Sequence, residues 1–205
     1  MAATMKLHWS PKSPYVRKVM VCAHELGMLP RLELVRSVAA MLKPNPAIMA
    51  DNPLSKIPTL VREDGSTLFD SVVICEYLNN EAGGTLFPPQ GEAKWQALRW
   101  HAFGDGLLDM LILWRNERER DVPLKTLVDA FELKARACMK LLDEEAQALG
   151  RAPFSIGFVT IGCALGYLDY RFATFGWREQ APRLAAWYAS LCERPSFKST
   201  EAVDG

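Results

Sequence analysis

Asn52-Pro53-Leu54-Ser55-Lys56-Ile57-Pro58-Thr59-Leu60, followed one turn later by Leu68-Phe69-Asp70-Ser71-Val72-Val73-Ile74, is the stretch on which the reading of the fold turns. A proline heading an apolar strand is a place for a cis bond, which turns the N–H and C=O of the preceding residue out of the sheet. The outward groups of Ile57 would then pair with an extended peptide laid alongside, as an added strand does. Asp70-Ser71 at a helix start offers backbone N–H groups and a hydroxyl to a carboxylate, and Asp70 itself to an ammonium. A ligand with an amine, a free carboxylate and a peptide-like middle fits this pattern.

Upstream, Lys6-Leu7-His8-Trp9 alternates as a short strand and Ser10-Pro11-Lys12 is a polar turn. Ser13-Pro14 pairs an N-cap serine with a proline at the first helical position. Val16, Val19, Ala23 and Leu26 mark one face of a helix predicted to stop at Gly27. Leu32-Glu33-Leu34-Val35 reads as a second strand, and Pro44 to Ala50 as a short helix or irregular segment. Thr59-Leu60-Val61 and Thr67-Leu68-Phe69, joined through Asp64-Gly65, predict a hairpin, and a helix follows from Asp70 to about Asn80. The order β-α-β-α-β-β-α predicts a mixed sheet with helices on both faces, a compact α/β domain over residues 5–80.

Gly83-Gly84 and Pro88-Pro89-Gln90-Gly91 mark a linker over 81–91. An all-helical domain is expected over 92–200, with helices from about Glu92 to Arg120, Pro123 to Leu149, near Ser155 onward, and Pro182 to Glu193. The small residues Gly157, Gly162, Ala164 and Gly166 on the third of these predict close helix packing.

The 205 residues carry 24 basic and 24 acidic side chains, so no electrostatic argument favours nucleic acid or an anionic membrane. No run approaches a membrane span, and Met1-Ala2-Ala3-Thr4 lacks the charged flank and apolar run of a secretory signal. Cys22, Cys75, Cys138, Cys163 and Cys192 lie in helical patterns without short spacings, and read as reduced core thiols of a cytoplasmic protein. His8, His24 and His101 show no metal-ligand spacing, so no metal site is expected.

With these elements in place the chain resembles the glutathione transferase superfamily, which joins a thioredoxin-like N-terminal domain to a helical-bundle C-terminal one. Five motifs carry the resemblance, in order from Met5 to about Thr200. They are Ser10-Pro11-Lys12-Ser13-Pro14-Tyr15-Val16-Arg17-Lys18, the Asn52 to Pro58 run, Phe69-Asp70-Ser71, Ala102-Phe103-Gly104-Asp105-Gly106-Leu107-Leu108-Asp109, and Cys163-Ala164-Leu165-Gly166-Tyr167-Leu168-Asp169-Tyr170-Arg171. They are closest to a bacterial group of that superfamily. The resemblance implies that Ile57, beside a cis Pro58, binds the cysteinyl backbone of glutathione. Asp70 and Ser71 then hold the γ-glutamyl end, and Lys56 either reaches the glycyl carboxylate or is a surface charge.

It also implies a hydroxyl that activates the thiol. Ser13 stands where cysteine-based relatives carry Cys-Pro and is favoured; Ser10 is the alternative. Plain N-capping also fits Ser13, and turn chemistry fits Ser10. Tyr15 reads as a wall residue. Neither serine position carries a cysteine and Cys22 reads as a core thiol, so conjugation is expected rather than deglutathionylation; the missing Cys-x-x-Cys argues against a redox module. Trp9, Pro11, Leu108, Ile112 and Arg115 are candidates for the electrophile pocket, or equally for core or interface. Asp105 and Asp109 place like charges at i and i+4 in an apolar stretch and so imply partners. Asp105 either approaches the glutathione amine across a dimer or is a structural carboxylate.

One departure stands out. Relatives begin the third helix of this domain with a Ser/Thr-x-x-Asp capping box, whereas Ser155-Ile156-Gly157-Phe158 ends in phenylalanine. The lost acceptor predicts a cost of about 1 kcal/mol, and a higher melting temperature for Phe158→Asp. The function implied is a cytoplasmic, homodimeric glutathione S-transferase acting in detoxification of small hydrophobic electrophiles. Glutathione would be its co-substrate, with no metal, nucleic acid or membrane involved. A glutathione-binding regulatory protein without catalysis is the alternative, and a third reading keeps the chemistry on one metabolite such as a peroxide, halide or maleyl compound.

Overall fold

Alternation at the head of the chain builds β1 (Met5–Trp9), with Met5 and Leu7 buried and Lys6 exposed. In the computed structural model, which describes residues 4–204, β1 lies inside a four-stranded sheet of order β2-β1-β3-β4. The leaderless reading of Met1-Ala2-Ala3 lies outside the described residues. β2 (Leu32–Arg36) runs parallel to β1; β3 (Thr59–Val61) is antiparallel to β1, and β4 (Thr67–Leu68) antiparallel to β3. The parallel pair needs a crossover, and α1 (Pro14–Glu25) supplies it. α2 (Pro46–Met49) is a single turn, and α3 (Ser71–Glu81) packs on α1. Leu7, Val19, Leu60, Ile74 and Leu78 are fully buried, and side chains of this kind contribute roughly 1.5–3 kcal/mol each.

The chain forms two compact units, Met1–Pro88 with Ser196–Gly205, and Pro89–Pro195. The sequence reading carried the helical part to about residue 200, but from Ser196 onward the chain packs with the first unit. The buried Arg17 explains why: its Nη2 donates to the carbonyl of Phe197 at 3.3 Å and its guanidinium lies 5.6 Å from that ring's centre. Ser196 Oγ donates to Glu25 at 2.5 Å.

The second unit comprises α4 (Gly91–Arg118), α5 (Lys125–Arg151), α6 (Ile156–Arg171), α7 (Trp177–Gln180) and α8 (Pro182–Cys192), and α9 (Pro195–Lys198) begins at its end. Glycine lets α4 and α6 approach closely. A Cβ on Gly104 would sit 2.9 Å from the Ile161 backbone nitrogen, and one on Gly157 would sit 2.7 Å from Trp100 Cβ. The one-turn helices α7 and α9 are too short to show a period and escaped the sequence reading.

The start of α6 differs from expectation. Ser155 makes no side-chain cap bond. Phe158 is nearly buried and packs edge-on against Trp100, Phe154 and Trp187, with ring centres 6.0, 5.7 and 5.4 Å away. Aromatic packing stands where the capping box was expected, so the structure favours a loss rather than a gain in stability for Phe158→Asp. α8 likewise starts on Ala181, which cannot cap, and borrows Asp143 of α5, whose Oδ1 accepts from the N–H groups of Arg183 (2.7 Å) and Leu184 (2.9 Å). All five cysteines are free thiols; Cys22, Cys75 and Cys163 are buried, whereas Cys138 and Cys192 are only half-buried, a correction to the core reading.

Candidate functional site

The Ile57–Pro58 bond is cis. Neither the N–H nor the C=O of Ile57 has a hydrogen-bond partner among the described residues. The hairpin register pairs Leu60 with Leu68. Ile57 and Pro58 lead into β3 at the end of the hairpin where β4 runs out toward Asp70 and Ser71. The unpaired backbone edge and the start of α3 therefore lie at one end of the hairpin. Asp70 is the exposed N-cap of α3, its Oδ1 accepting from Val72 N–H at 3.0 Å; the Phe69–Asp70 bond is also cis. Ser71 is buried to 2% exposure, and its hydroxyl has no partner among the described residues. Lys56 is exposed, without an ion pair among those residues.

Two further residues hold this edge, and the sequence reading missed both roles. Asn52 is buried inside its own loop, with Nδ2 donating to Thr59 Oγ1 (2.9 Å) and the Lys56 carbonyl (3.4 Å) and Oδ1 accepting from Leu54 N–H (3.0 Å). His8 of β1 is gripped at both ring nitrogens, by Ser37 Oγ at 2.8 Å and by Asp51 Oδ2 at 2.9 Å, one residue before Asn52. Ser55 adopts a positive φ of 52° and its Oγ accepts from Asn45 N–H at 2.8 Å. The signal for Asn52 was its place in an Asn-Pro turn; His8 gave none, being a lone histidine in a strand.

In the turn before α1, Ser13 N–H donates to the Ser10 carbonyl at 3.3 Å. Ser13 Oγ caps α1 by accepting from Val16 N–H at 3.2 Å, and Ser10 Oγ accepts from Lys12 N–H at 3.4 Å. Each hydroxyl is thus an acceptor in the turn and keeps its own proton for a further acceptor. Ser13 alone sits at the positive end of the helix. Pro11 and Trp9 are half-buried nearby in sequence, the Trp9 ring with Arg36 5.5 Å over its centre. Tyr15 is half-buried in the first turn of α1.

The other pocket candidates belong to the second unit. Leu108 is fully buried, in keeping with the core alternative left open for it. Ile112 is half-buried. Arg115 Nη1 donates to the Tyr167 hydroxyl (3.3 Å) and Nη2 to Asn116 Oδ1 (2.7 Å), while its buried Nε lies 3.5 Å from Glu119 without a hydrogen bond. Burial pushes the Tyr167 phenol above its ordinary pKa against the pull of Arg115 and Arg171. Asp105 finds a partner in its own helix, His101, at 3.1 Å. Among the described residues no group of three or more His, Cys, Asp or Glu side chains is placed to hold a metal ion, and no helix is long and apolar enough to cross a membrane.

Comparison with known proteins agrees with this fold. Residues 12–81 match the profile of the glutathione S-transferase N-terminal domain, and residues 126–190 that of the C-terminal domain. A glutathione transferase family member from Pseudomonas fluorescens Pf-5, solved with bound glutathione, is 38% identical over 98% of this chain and 100% of its own, with a TM-score of 0.94. A second crystal structure from that organism, with bound S-(propanoic acid)-glutathione, gives 37% identity over 97% and 100%, with a TM-score of 0.88. The uncharacterized GST-like protein YibF of Escherichia coli K12 is 27% identical over 96% of this chain and 98% of its own. A thioredoxin-like unit with an open backbone edge beside a helix start, followed by a helical unit, all matched along their length, places this chain in the glutathione transferase superfamily.

Proposed function

We propose that the protein is a glutathione transferase that joins the glutathione sulfur to small hydrophobic electrophiles. The observation that carries this reading is the hairpin register, which sets the unpaired Ile57 backbone groups at the same end as the unpaired Ser71 hydroxyl. Ile57 pairs with the cysteinyl N–H and C=O, Ser71 and the N–H groups at the start of α3 take the γ-glutamyl carboxylate, Asp70 meets its ammonium, and Lys56 meets the glycyl carboxylate.

A free thiol of pKa about 8.5 is only a few per cent ionised at pH 7, and lowering it by ~2 units takes roughly 2.7 kcal/mol. A hydroxyl donor to the thiolate, worth about 1.5–3 kcal/mol, together with the α1 dipole, is of this size, and Ser13 combines both. The thiol proton leaves to solvent. The sulfur lone pair then forms the C–S bond while a leaving group departs with its electrons or an added double bond takes up a proton. The thioether bound by the Pseudomonas fluorescens relative supports a site that accepts such a product. The reading carries with it a cytoplasmic homodimer in a detoxifying role; its free thiols suit a reducing compartment.

A second reading is glutathione binding without catalysis, in which the two serine hydroxyls serve only to hold their turn and helix start. Titrating the ultraviolet absorbance of the bound thiolate against pH, with calorimetric binding, for wild type, Ser10→Ala and Ser13→Ala separates the two. A depressed thiol pKa, lost in Ser13→Ala while binding persists, is the expected result. Tight binding with an unshifted thiol in all three proteins would overturn catalysis and leave the binding role.

A further inference from the structure

The second unit gathers more hydrogen-bond donors around one buried hydroxyl than it supplies acceptors. Tyr167 and Arg171 stand at i and i+4 on one face of α6. Arg115 of α4 reaches across to them, with Nη1 donating to the Tyr167 hydroxyl at 3.3 Å. Arg171 bears on the same hydroxyl and is laid over the Tyr170 ring, 4.0 Å from its centre. Tyr167 is 2% exposed, and its own phenolic proton has no acceptor among the described residues. Held above its ordinary pKa by burial, that phenol stays neutral near pH 7 and serves neither guanidinium as a counter-ion. The Nε–H groups of both arginines are buried and make no hydrogen bond among the described residues. Arg115 has one carboxylate nearby, that of the exposed Glu119. Arg171 has no ion pair among the described residues.

We propose that this cluster holds the carboxylate of an acidic electrophile, so that the small electrophiles considered above narrow to those bearing a carboxyl group. The inference rests on the transferase reading. An ionised carboxylate only accepts hydrogen bonds, at about four lone-pair sites. It therefore matches what the cluster has in excess, the two Nε–H groups and the phenolic proton. Charge points the same way. Two cations share a neutral phenol, and a half-buried cation without a counter-ion carries a desolvation cost that a bound anion offsets. Arginine suits the task better than lysine, because its planar fork meets both carboxylate oxygens at once, and stacking on Tyr170 fixes the plane of the Arg171 fork. Ile112, half-buried one turn before Arg115 on the same face of α4, suits the hydrocarbon part of such a molecule.

Two readouts on the full chain with glutathione present keep the site and the chemistry apart. Proton–nitrogen NMR of the arginine Nε–H groups reports the site. 2-Butenoate should shift the Arg115 and Arg171 signals saturably, and the neutral 2-butenamide should not. Steady-state kinetics report the substrate class. KM for 4-bromo-2-butenoate should lie at least about tenfold below that for 4-bromo-2-butenamide. In that reaction the sulfur lone pair forms the C–S bond at the brominated carbon while bromide leaves with the bonding pair. Arg171→Gln should erase the preference, with kcat, the amide KM and the melting temperature held. Arg171→Lys, which keeps the charge and loses the fork, should recover part of it. Signals that shift without turnover would support the carboxylate site and overturn the transferase chemistry. Turnover without preference for the acid, a preference that survives Arg171→Gln, or Nε–H signals indifferent to 2-butenoate would each overturn the site.

Discussion

At Asn52 one buried amide helps to organise the segment proposed to bind glutathione. Its Nδ2 reaches Thr59 Oγ1 and the Lys56 carbonyl, and Thr59 Oγ1 donates to the same carbonyl at 2.9 Å, so the path of the chain through Lys56 and Ile57 is tied to these two side chains. Asn52→Ala should cost about 1–3 kcal/mol in urea denaturation, because the loop carbonyl loses a donor in a dry setting. It should also weaken glutathione in calorimetric titration by more than a Lys56→Ala change, since Lys56 offers only an exposed charge. Equal losses would place the loop's order elsewhere. His8→Phe should weaken glutathione in the same direction by freeing Asp51 to turn to solvent. Residues acting on near neighbours were legible in the sequence: Ser13 caps three residues ahead and Asp70 two, and the chemistry of such caps is local. His8 was not legible, because its partners stand 29 and 43 positions away and no periodicity links them.

At the scale of elements, helix starts divide by where their caps come from. α1 and α3 are capped by the residue just before them, and α8 by an acid 40 positions upstream. Burial works to raise the Asp143 carboxyl, but the N–H groups of Leu184 and Arg183 and the Arg183 guanidinium prevail and hold it below the ordinary carboxylate range. A carboxyl lowered in the folded state adds stability that is complete above its unfolded pKa of about 4 and drains away as pH falls through the folded value. Asp143→Ala should therefore destabilise the protein by about 0.5–2 kcal/mol at pH 7, with the gap to wild type closing below about pH 4 in denaturation curves. Glu145, lowered chiefly by its bond to Arg99, adds to the same acid limb. For α6, Phe158→Asp should lower the melting temperature, since it removes a ring from three aromatic contacts and places a carboxylate at a nearly buried site. A rise would mean that the missing cap outweighs the ring. The existence of α6 and α8 was readable from pattern, whereas their manner of starting was not, because Phe158 and Asp143 act across the unit.

Across the whole molecule, the division into an α/β part and a helical part followed from the change of hydrophobic period near residue 81 and from the turn residues of the linker. The return of the chain from Ser196 to the first unit had no such signal; it rests on a buried arginine whose partner lies 180 positions away. Deleting residues 196–205 should strip that guanidinium of its carbonyl and lower the melting temperature by roughly 4–8 °C, about 2 kcal/mol in a chain this size. A calorimetric trace unchanged by the deletion would show that Arg17 finds water instead. The same discontinuity sets a schedule during synthesis. At roughly 5–20 residues per second, the stretch separating Pro88 from Ser196 occupies a ribosome for about 5–20 s. Through that interval the face of α1 around Arg17 lacks the segment that covers it, and is open to chaperones and proteases.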